Sequence, residues 1–563
     1  MRSNGEVISP YAGRWVARLH GKIIAQGGTP EQARLAAQGS RFKESPEIVF
    51  IPMSIPLNMP ALLDSVRAAL PGDVPIYLVG GTLRDMLLGR ATHDLDFTLN
   101  GDAINTARRL ANALPSAGNG TIQKADFYPL DTERDTGRVI VSAVDGTRTV
   151  LDFASFRGPD LDADLSGRDF TLNAIAMDIR TLEIYDPLGG AQDLREKSLR
   201  QCSPSALRDD PLRILRALRL AADCGFHIQS ETRQAMKQAA ELLPSVSTER
   251  VRDELLRILG GPQPATALRA LDMLGALAPV MPELPTLKGF VQPAPHVNDV
   301  WTHTLSTLAH LEAILAALAP DYNPDTASDL HNGLMVMRIG RYRAQLADHF
   351  AAALNINRSL RSLLFFAALY HDVAKPLKQS EDENGRVRFW GHDEEGAQVA
   401  AARGRLLELS NDEVERIRCI IRHHMRVLNL LNRQRDEGKS PSRHAIYRFF
   451  RDTGAAGVDV CLLALADLRA TYEQTLSQEM WAAALDIVRL FMENWWEKRP
   501  ETIAPPPLVN GNDLMQELNL ETGPLIGKLL EAVREAQAVG EVSTREQAIM
   551  MAKKNLEVEK QET

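Results

Sequence analysis

The chain has 563 residues, well beyond the roughly 250–300 at which a single core stops growing, so several domains are expected. With 44% hydrophobic and 24% charged residues the composition is that of an ordinary globular protein, and no run approaches the roughly 20 apolar residues that would cross a membrane. A net charge of −9 excludes attraction of nucleic acid by the whole body, leaving a local basic patch as the electrostatic route.

The opening MRSNGEVISPYAGRW lacks the pattern of a signal peptide. Cys202, Cys224, Cys419 and Cys461 form no CxxC pair, so buried reduced thiols in a cytoplasmic protein are expected. Residues 1–52 read as a small module: a hairpin from Trp15–Leu19 and Lys22–Ala25, a helix from an N-cap at Thr29 to Ala37, and a strand Glu47–Ile51. An interaction module and a stabilising appendage both fit it. Between 57 and 200 the pattern is α/β. Ile76–Val79 is a buried strand, and Gly80-Gly81 turns the chain into a helix from Thr82 to Leu88, stopped by Gly89. Asp94–Leu99 alternates as a strand, and further strands are expected at Arg138–Ala143 and Thr149–Phe153. Beyond Ser203 the periodicity is helical, giving segments at 201–290 and 291–495. A proline-rich break at Pro505–Pro507 precedes a tail, 508–556.

Strand alternation places Asp94 and Asp96 on one face, where two carboxylates call for a cation between them. Oxygen-only ligands favour Mg²⁺, which also binds substrate phosphates and can serve an in-line nucleotidyl transfer. Asp152, in the next alternating strand, is the candidate third carboxylate. Gly80, Gly81 and Arg84 lie in a GGxxRD turn that lets backbone amides approach a triphosphate. In Gly167–Ala174, Arg168 and Asp169 can offer donors and an acceptor to a ribose, and the same segment contributes Asn173. The stretch Arg208–Arg219 predicts a helix with a proline near its first turn. Asp210 and Arg213, at i and i+3, would share a face able to read a base edge. Arg213, Arg216 and Arg219 recur along one side in a spacing that suits phosphates.

Four ordered segments, LVGGTLRDMLLG, DLDFTL, GRDFTLNAIAMD and DDPLRILRALRLAA, resemble the class II tRNA nucleotidyltransferases and bacterial poly(A) polymerases across about residues 57–260. The resemblance implies an α/β palm and a helical neck. It also implies Mg²⁺ at Asp94 and Asp96, ribose selection by Arg168 and Asp169, and selection of CTP or ATP by Asp210 and Arg213. Glu249–Leu255 is similar to a neck motif of the family. The chain departs from the pattern at Gly167, where the family carries arginine, and at Asp209, where it carries glutamate. Only fourteen residues lie between Asp152 and Gly167, whereas many members adding complete CCA carry a longer loop there. Complete CCA, CC-only and A-only addition therefore stay open, as does poly(A) synthesis.

His303, His371-Asp372, His392, His423-His424 and Asp467 follow in order along the helical region. Imidazole with carboxylate suits Mn, Fe, Ni, Co or Zn. This order resembles the HD phosphohydrolase superfamily over about 296–470. The resemblance implies one metal on His303, His371, Asp372 and Asp467, and a second on His392 with His423 or His424. The tail, with GNDLM and GPLIG, resembles the C-terminal segment of CCA-adding enzymes that bear an HD domain. The expected partners are tRNA or other RNA 3′ ends, CTP and ATP, with no membrane. The alternative is an HD phosphohydrolase with an RNA-binding N-terminal half.

Overall fold

A computed structural model describes residues 14–562 apart from 21, 39–43, 52–60, 71, 73, 91, 93, 119, 324–328 and 357. The first turn of the expected palm, 57–60, and the beginning of the N-terminal module lie outside the described residues. The chain forms two compact units, Met1–Leu242 and Leu243–Thr563, so the division falls inside the 201–290 segment rather than at its start. No described helix is long and apolar enough to cross a membrane.

In the first unit, β1 (Arg14–Leu19) pairs antiparallel with β2 (Lys22–Gly27) and, on its other edge, with β3 (Glu47–Ile51). Helix α1 (Pro30–Gln38) buries Ala33 and Ala37, and the Thr29 hydroxyl accepts from Gln32 N at 3.2 Å, as an N-cap should. The β-β-α-β reading therefore holds. The module is docked rather than loose. Asp186 N donates to Gly28 O at 3.1 Å, and Gln32 Nε2 donates to Pro187 O at 3.3 Å. The backbones meet so closely that a Cβ on Gly28 would lie 1.6 Å from Asp186 O, which only glycine permits.

The palm contains β4 (Ile76–Val79), α2 (Gly80–Leu87), β5 (Asp94–Leu99), β6 (Ile122–Asp131), β7 (Thr136–Ala143), β8 (Arg148–Ser155), β9 (Ala176–Asp178) and β10 (Ile184–Tyr185). The sheet order is β10-β9-β4-β5-β8-β7-β6, antiparallel except for the β5/β8 pair. Leu95, Phe97, Leu151 and Phe153 point into the core, where the Phe97 and Phe153 rings stack at 4.6 Å. The alternate residues of β5 and β8 consequently share the opposite face.

The C-terminal part of this unit carries α3 (Arg213–Cys224), with Leu215 and Leu218 buried along one stripe. Asp210, which the sequence places on this helix, lies before it in extended conformation, φ −145°. Pro211 explains the shift, since the residue before a proline is driven out of the α region.

The second unit is helical, with strands confined to short pairs. Its centre is built from α4 (Val300–Ala317), α5 (Leu360–Tyr370), α6 (His392–Leu406), α7 (Asn411–His423), α8 (Met425–Glu437) and α9 (Ala456–Tyr472). Nearly every residue of α5 and α9 is buried, so these are core helices without a polar face. The tail has its own apolar cluster, including Leu514, Leu529, Val533, Ala548 and Ala552. Of the four cysteines only Cys461 is buried; the other three are half-buried and all are free.

Candidate active site and second metal centre

The parallel register of β5 and β8 sets Asp96 directly beside Asp152, so Asp94, Asp96 and Asp152 project from one sheet face. Burial, and then repulsion from Asp152, push the Asp96 carboxyl up to about 6, against the pull of Arg168 and Arg216. Asp152 is held by Arg138, whose Nε and Nη2 each donate at 2.8 Å to one of its oxygens. The Thr82 hydroxyl joins α2 to this strand: it donates to Asp94 O at 2.8 Å and accepts from Asp96 N at 3.1 Å. Gly80, at φ +71°, opens the face, because a Cβ there would sit 3.2 Å from Asp96 Oδ2 and 3.5 Å from Arg168 Nη1. Clustered oxygen donors with a raised carboxyl fit a hard divalent cation.

A continuous polar chain runs beside the carboxylates. Arg84 grips Asp85 and donates to Asn173 Oδ1 at 2.9 Å; Asn173 Nδ2 donates to Asp169 Oδ1 at 3.0 Å; and Asp169 Oδ2 pairs with Arg216 at 3.2 Å. Arg168 is fixed by Asp164 at 2.9 Å. A Cβ on Gly81 would lie 3.4 Å from the Arg84 guanidinium, so this glycine lies against the start of the same chain. Arg213 is spent differently. It is buried and donates to the carbonyls of Gly167 at 2.8 Å, Arg168 at 3.1 Å and Ala206 at 3.1 Å. Its guanidinium therefore holds the Gly167-Arg168-Asp169 turn in place and does not share a helix face with Asp210. Arg219 pairs with Asp223 at 3.6 Å, a turn further along α3.

In the second unit, His303, His371 and Asp467 form one buried group, and Asp372, His392 and His424 another. Asp372 joins them: its Oδ2 lies 3.5 Å and 3.2 Å from the Nε2 atoms of His303 and His371, and its Oδ1 lies 3.4 Å and 3.9 Å from those of His392 and His424. His371, His392 and His424 each place Nδ1 on the carbonyl three residues earlier, Ala368, Phe389 and Ile421, at 2.8, 2.8 and 2.6 Å. A carbonyl accepts only, so Nδ1 carries a proton in each ring and Nε2 is the nitrogen turned toward the cluster. The Nε2 atoms of His392 and His424 face each other at 3.3 Å. His303 Nε2 and His371 Nε2 are buried without a hydrogen-bond partner among the described residues. Such a set fits metal ions, with the Nδ1 carbonyl bonds orienting the ligands. Burial, then His392 and His371, bring His424 down to about 4. Burial alone would raise Asp372, but His371 and Lys375 hold it well below the usual carboxylate range. Both are the protonation states that ligands require.

His423, one of two alternatives for the second metal, is not part of either group. Successive helix residues point about 100° apart, so only one of the pair can face the centre, and it is His424. Lys375 and His296 are additions that the spacing did not single out. Lys375 Nζ forms an ion pair with Asp372 Oδ2 at 2.6 Å, and His296 packs edge-on to His303 with ring centres 5.2 Å apart.

Four family models match the chain: a poly(A) polymerase head domain at 76–200, the "Probable RNA and SrmB- binding site of polymerase A" at 225–287, an HD domain at 334–467, and tRNA nucleotidyltransferase domain 2 at 501–552. A CC-adding tRNA nucleotidyltransferase of Thermus thermophilus is 32% identical over 488 residues, covering 84% of this chain and 94% of the relative. The chain belongs to the tRNA nucleotidyltransferase family. An A-adding tRNA nucleotidyltransferase of Deinococcus radiodurans is 33% identical over 480 residues, covering 84% of this chain and 93% of its own. A solved CCA-adding enzyme with CTP shares the fold, with a TM-score of 0.54 at 21% identity over 88% of this chain and 94% of that one. The polymerase-like half and the HD half of this nucleotidyltransferase thus each match a model of their own. Arg138 and Asp164, which fix Asp152 and Arg168, had no motif to betray them, and Thr82 stands at an unassigned position of the GGxxRD turn.

Proposed function

We propose that this protein extends tRNA 3′ ends by nucleotidyl transfer, with CTP as the donor. The observation that carries the reading is the single face formed by Asp94, Asp96 and Asp152 beside the Arg84–Asn173–Asp169–Arg216 chain. Asp94 and Asp96 would hold Mg²⁺, which supplies charge neutralisation on the triphosphate and activation of the attacking hydroxyl. The tRNA 3′ oxygen attacks the α-phosphorus, the bond to the bridging oxygen breaks, pyrophosphate leaves, and the hydroxyl proton passes to solvent. Asp152, oriented by Arg138, completes the carboxylate face. Gly80 and Gly81 give the triphosphate room; Arg168, Asp169 and Asn173 face the ribose; Arg216 and Arg219 supply positive charge. Arg213 keeps the 167–169 turn in register, and Asp210 is the member of the pair that would meet the base.

The short link from Asp152 to Gly167 supports CC addition in particular. Asp160 caps the helical turn Leu161–Ser166 by accepting from Ala163 N at 2.8 Å, and Arg157 N is tied to Asp164 Oδ1 at 3.0 Å. Little slack is left for a swing from C to A. The same family contains the CC-adding and A-adding relatives above, and a solved Thermotoga maritima enzyme is complexed with tRNA.

A second reading concerns the HD centre. His303, His371, Asp372 and Asp467 would hold one transition metal (Mn, Ni, Co, Fe or Zn), and His392, His424 and the other Asp372 oxygen a second. Such ions polarise a phosphate ester and activate water for its hydrolysis. Orphaned Nε2 atoms around a bridging carboxylate support that reading.

The test uses tRNA transcripts ending before CCA, after C and after CC, each with Mg²⁺ and labelled CTP or ATP. An unrelated RNA and an Asp94→Ala/Asp96→Ala variant accompany them. The expected result is two C residues on tRNA alone and none with the variant. Addition of A after CC would withdraw the CC restriction. Long A tails on any RNA would make this a poly(A) polymerase, and no incorporation would leave the HD centre as the working enzyme.

A further inference from the structure

Cross-strand register carries the catalytic face beyond its carboxylates. Asp96 on β5 stands opposite Asp152 on β8, Asp152 opposite Arg138 on β7, and Arg138 opposite Tyr128 on β6. Directly paired residues point the same way, so these four form one row across a single sheet face. Neighbouring strands lie about 4.8 Å apart, which puts Tyr128 about 10 Å from Asp152 and about 14 Å from Asp96. Phe127, one residue earlier, points to the other side, where Arg108 of the helix Ala103–Ala117 lies over its ring at 5.0 Å. Tyr128 itself is 48% exposed on the edge strand of the sheet, and its hydroxyl makes no hydrogen bond among the described residues. A ring left open there buries little area and does little for the core. Half-buried Val150 and Ile140 make the neighbouring row apolar between Asp94 and Asp126.

The groups assigned to the triphosphate and ribose follow β4 or precede β9, on the side of β5 away from β8. An in-line displacement sets the attacking oxygen opposite the departing pyrophosphate, so the RNA end comes over β8, β7 and β6. Along that path the row presents a cation site for the 3′ oxygen, then a guanidinium, then a ring. Arg138 spends Nε and Nη2 on Asp152, which leaves Nη1 for a phosphate. We propose that Tyr128 is the stacking platform for the last base of the tRNA that is being extended, with Arg138 Nη1 meeting the 5′ phosphate of that nucleotide. The inference rests on the nucleotidyl-transfer reading and adds to it the seat of the accepting strand. The terminal base changes with each addition, and a π face accepts any base where a hydrogen-bonding side chain would select one.

The test compares full-length protein with its Tyr128→Ala and Tyr128→Trp variants, using Mg²⁺, CTP and a tRNA transcript that ends before CCA. KM is measured separately for tRNA and for CTP. A second transcript carries 2-aminopurine as its last base, a probe whose fluorescence falls on stacking, and reports binding without turnover. Tyr128→Ala is expected to raise KM for tRNA about tenfold while KM for CTP stays within about twofold, and Tyr128→Trp to keep the parent values. The bound probe is expected to be dimmer on the parent than on Tyr128→Ala. An unchanged KM for tRNA in Tyr128→Ala, or a KM for CTP raised as much as that for tRNA, would overturn the inference and leave the nucleotidyl-transfer reading standing. A probe equally bright on both proteins removes the platform whatever the kinetics. If the parent incorporates nothing yet dims the probe only when Tyr128 is present, the transfer reading falls and the platform remains.

Discussion

Asp96 concentrates the electrostatic tension of the palm in one side chain. Its folded-state carboxyl, raised to about 6 by burial and by Asp152, favours the protonated form. The stability tied to that proton is present below the ordinary carboxylate pKa and is lost as pH rises through about 6. A divalent cation binds only the ionised pair, so it offsets the loss where the loss occurs. Mg²⁺ should therefore raise the melting temperature more at about pH 7.5 than at about pH 5. Asp94→Asn/Asp96→Asn should abolish the difference, and thermal denaturation across the two buffers checks it; equal shifts at both pH values would refute it. At this scale the sequence was informative wherever one strand sufficed. The Asp-x-Asp face follows from alternation alone. Arg138 reaches Asp152 through strand register, Thr82 reaches the β5 backbone across a turn, and Asp164 reaches Arg168 four residues along, so what each partner does shows only in three dimensions.

Helical geometry decides which member of the His423-His424 pair serves the metal centre. His424→Ala should strip metal from the purified protein, measured as metal per chain by elemental analysis, while His423→Ala should retain it. Retention by the first variant and loss by the second would exchange their roles. The order of histidines and aspartates along the chain was enough to locate the centre: His303 and Asp467 sit within apolar helices and His371-Asp372 ends another, whereas His392 opens a polar one. Elsewhere elements escaped. Strand β6 went unread because its inner and outer residues do not alternate cleanly and Pro129 interrupts it. The helix Ala103–Ala117 was likewise missed, with Pro115 sitting inside it. The expected start of α3 was early by a turn because the steric veto of Pro211 on Asp210 outweighed helical periodicity.

At the scale of the molecule, two compact units, the second of which holds both buried histidine–aspartate groups, should melt separately. Calorimetry is expected to resolve two transitions: one raised by CTP with Mg²⁺, the other lowered by a chelator strong enough to remove transition metals. A single transition moved by both additions would show the halves to be energetically one. The boundary between them was not legible, since Pro244 is its only mark and prolines also stand within single units, as Pro115 does. The palm's parallel strand pair also constrains how a gene for this protein can drift in length. Between Asp94 and Leu99, and again between Val150 and Ser155, every residue belongs to one of two sides. Loss or gain of a single codon inverts that assignment, sending aspartates into the core and phenylalanines to the cation. Tolerated length variants should change these strands by even steps or fall in the loops, so the reading frame of the catalytic face is kept as a parity.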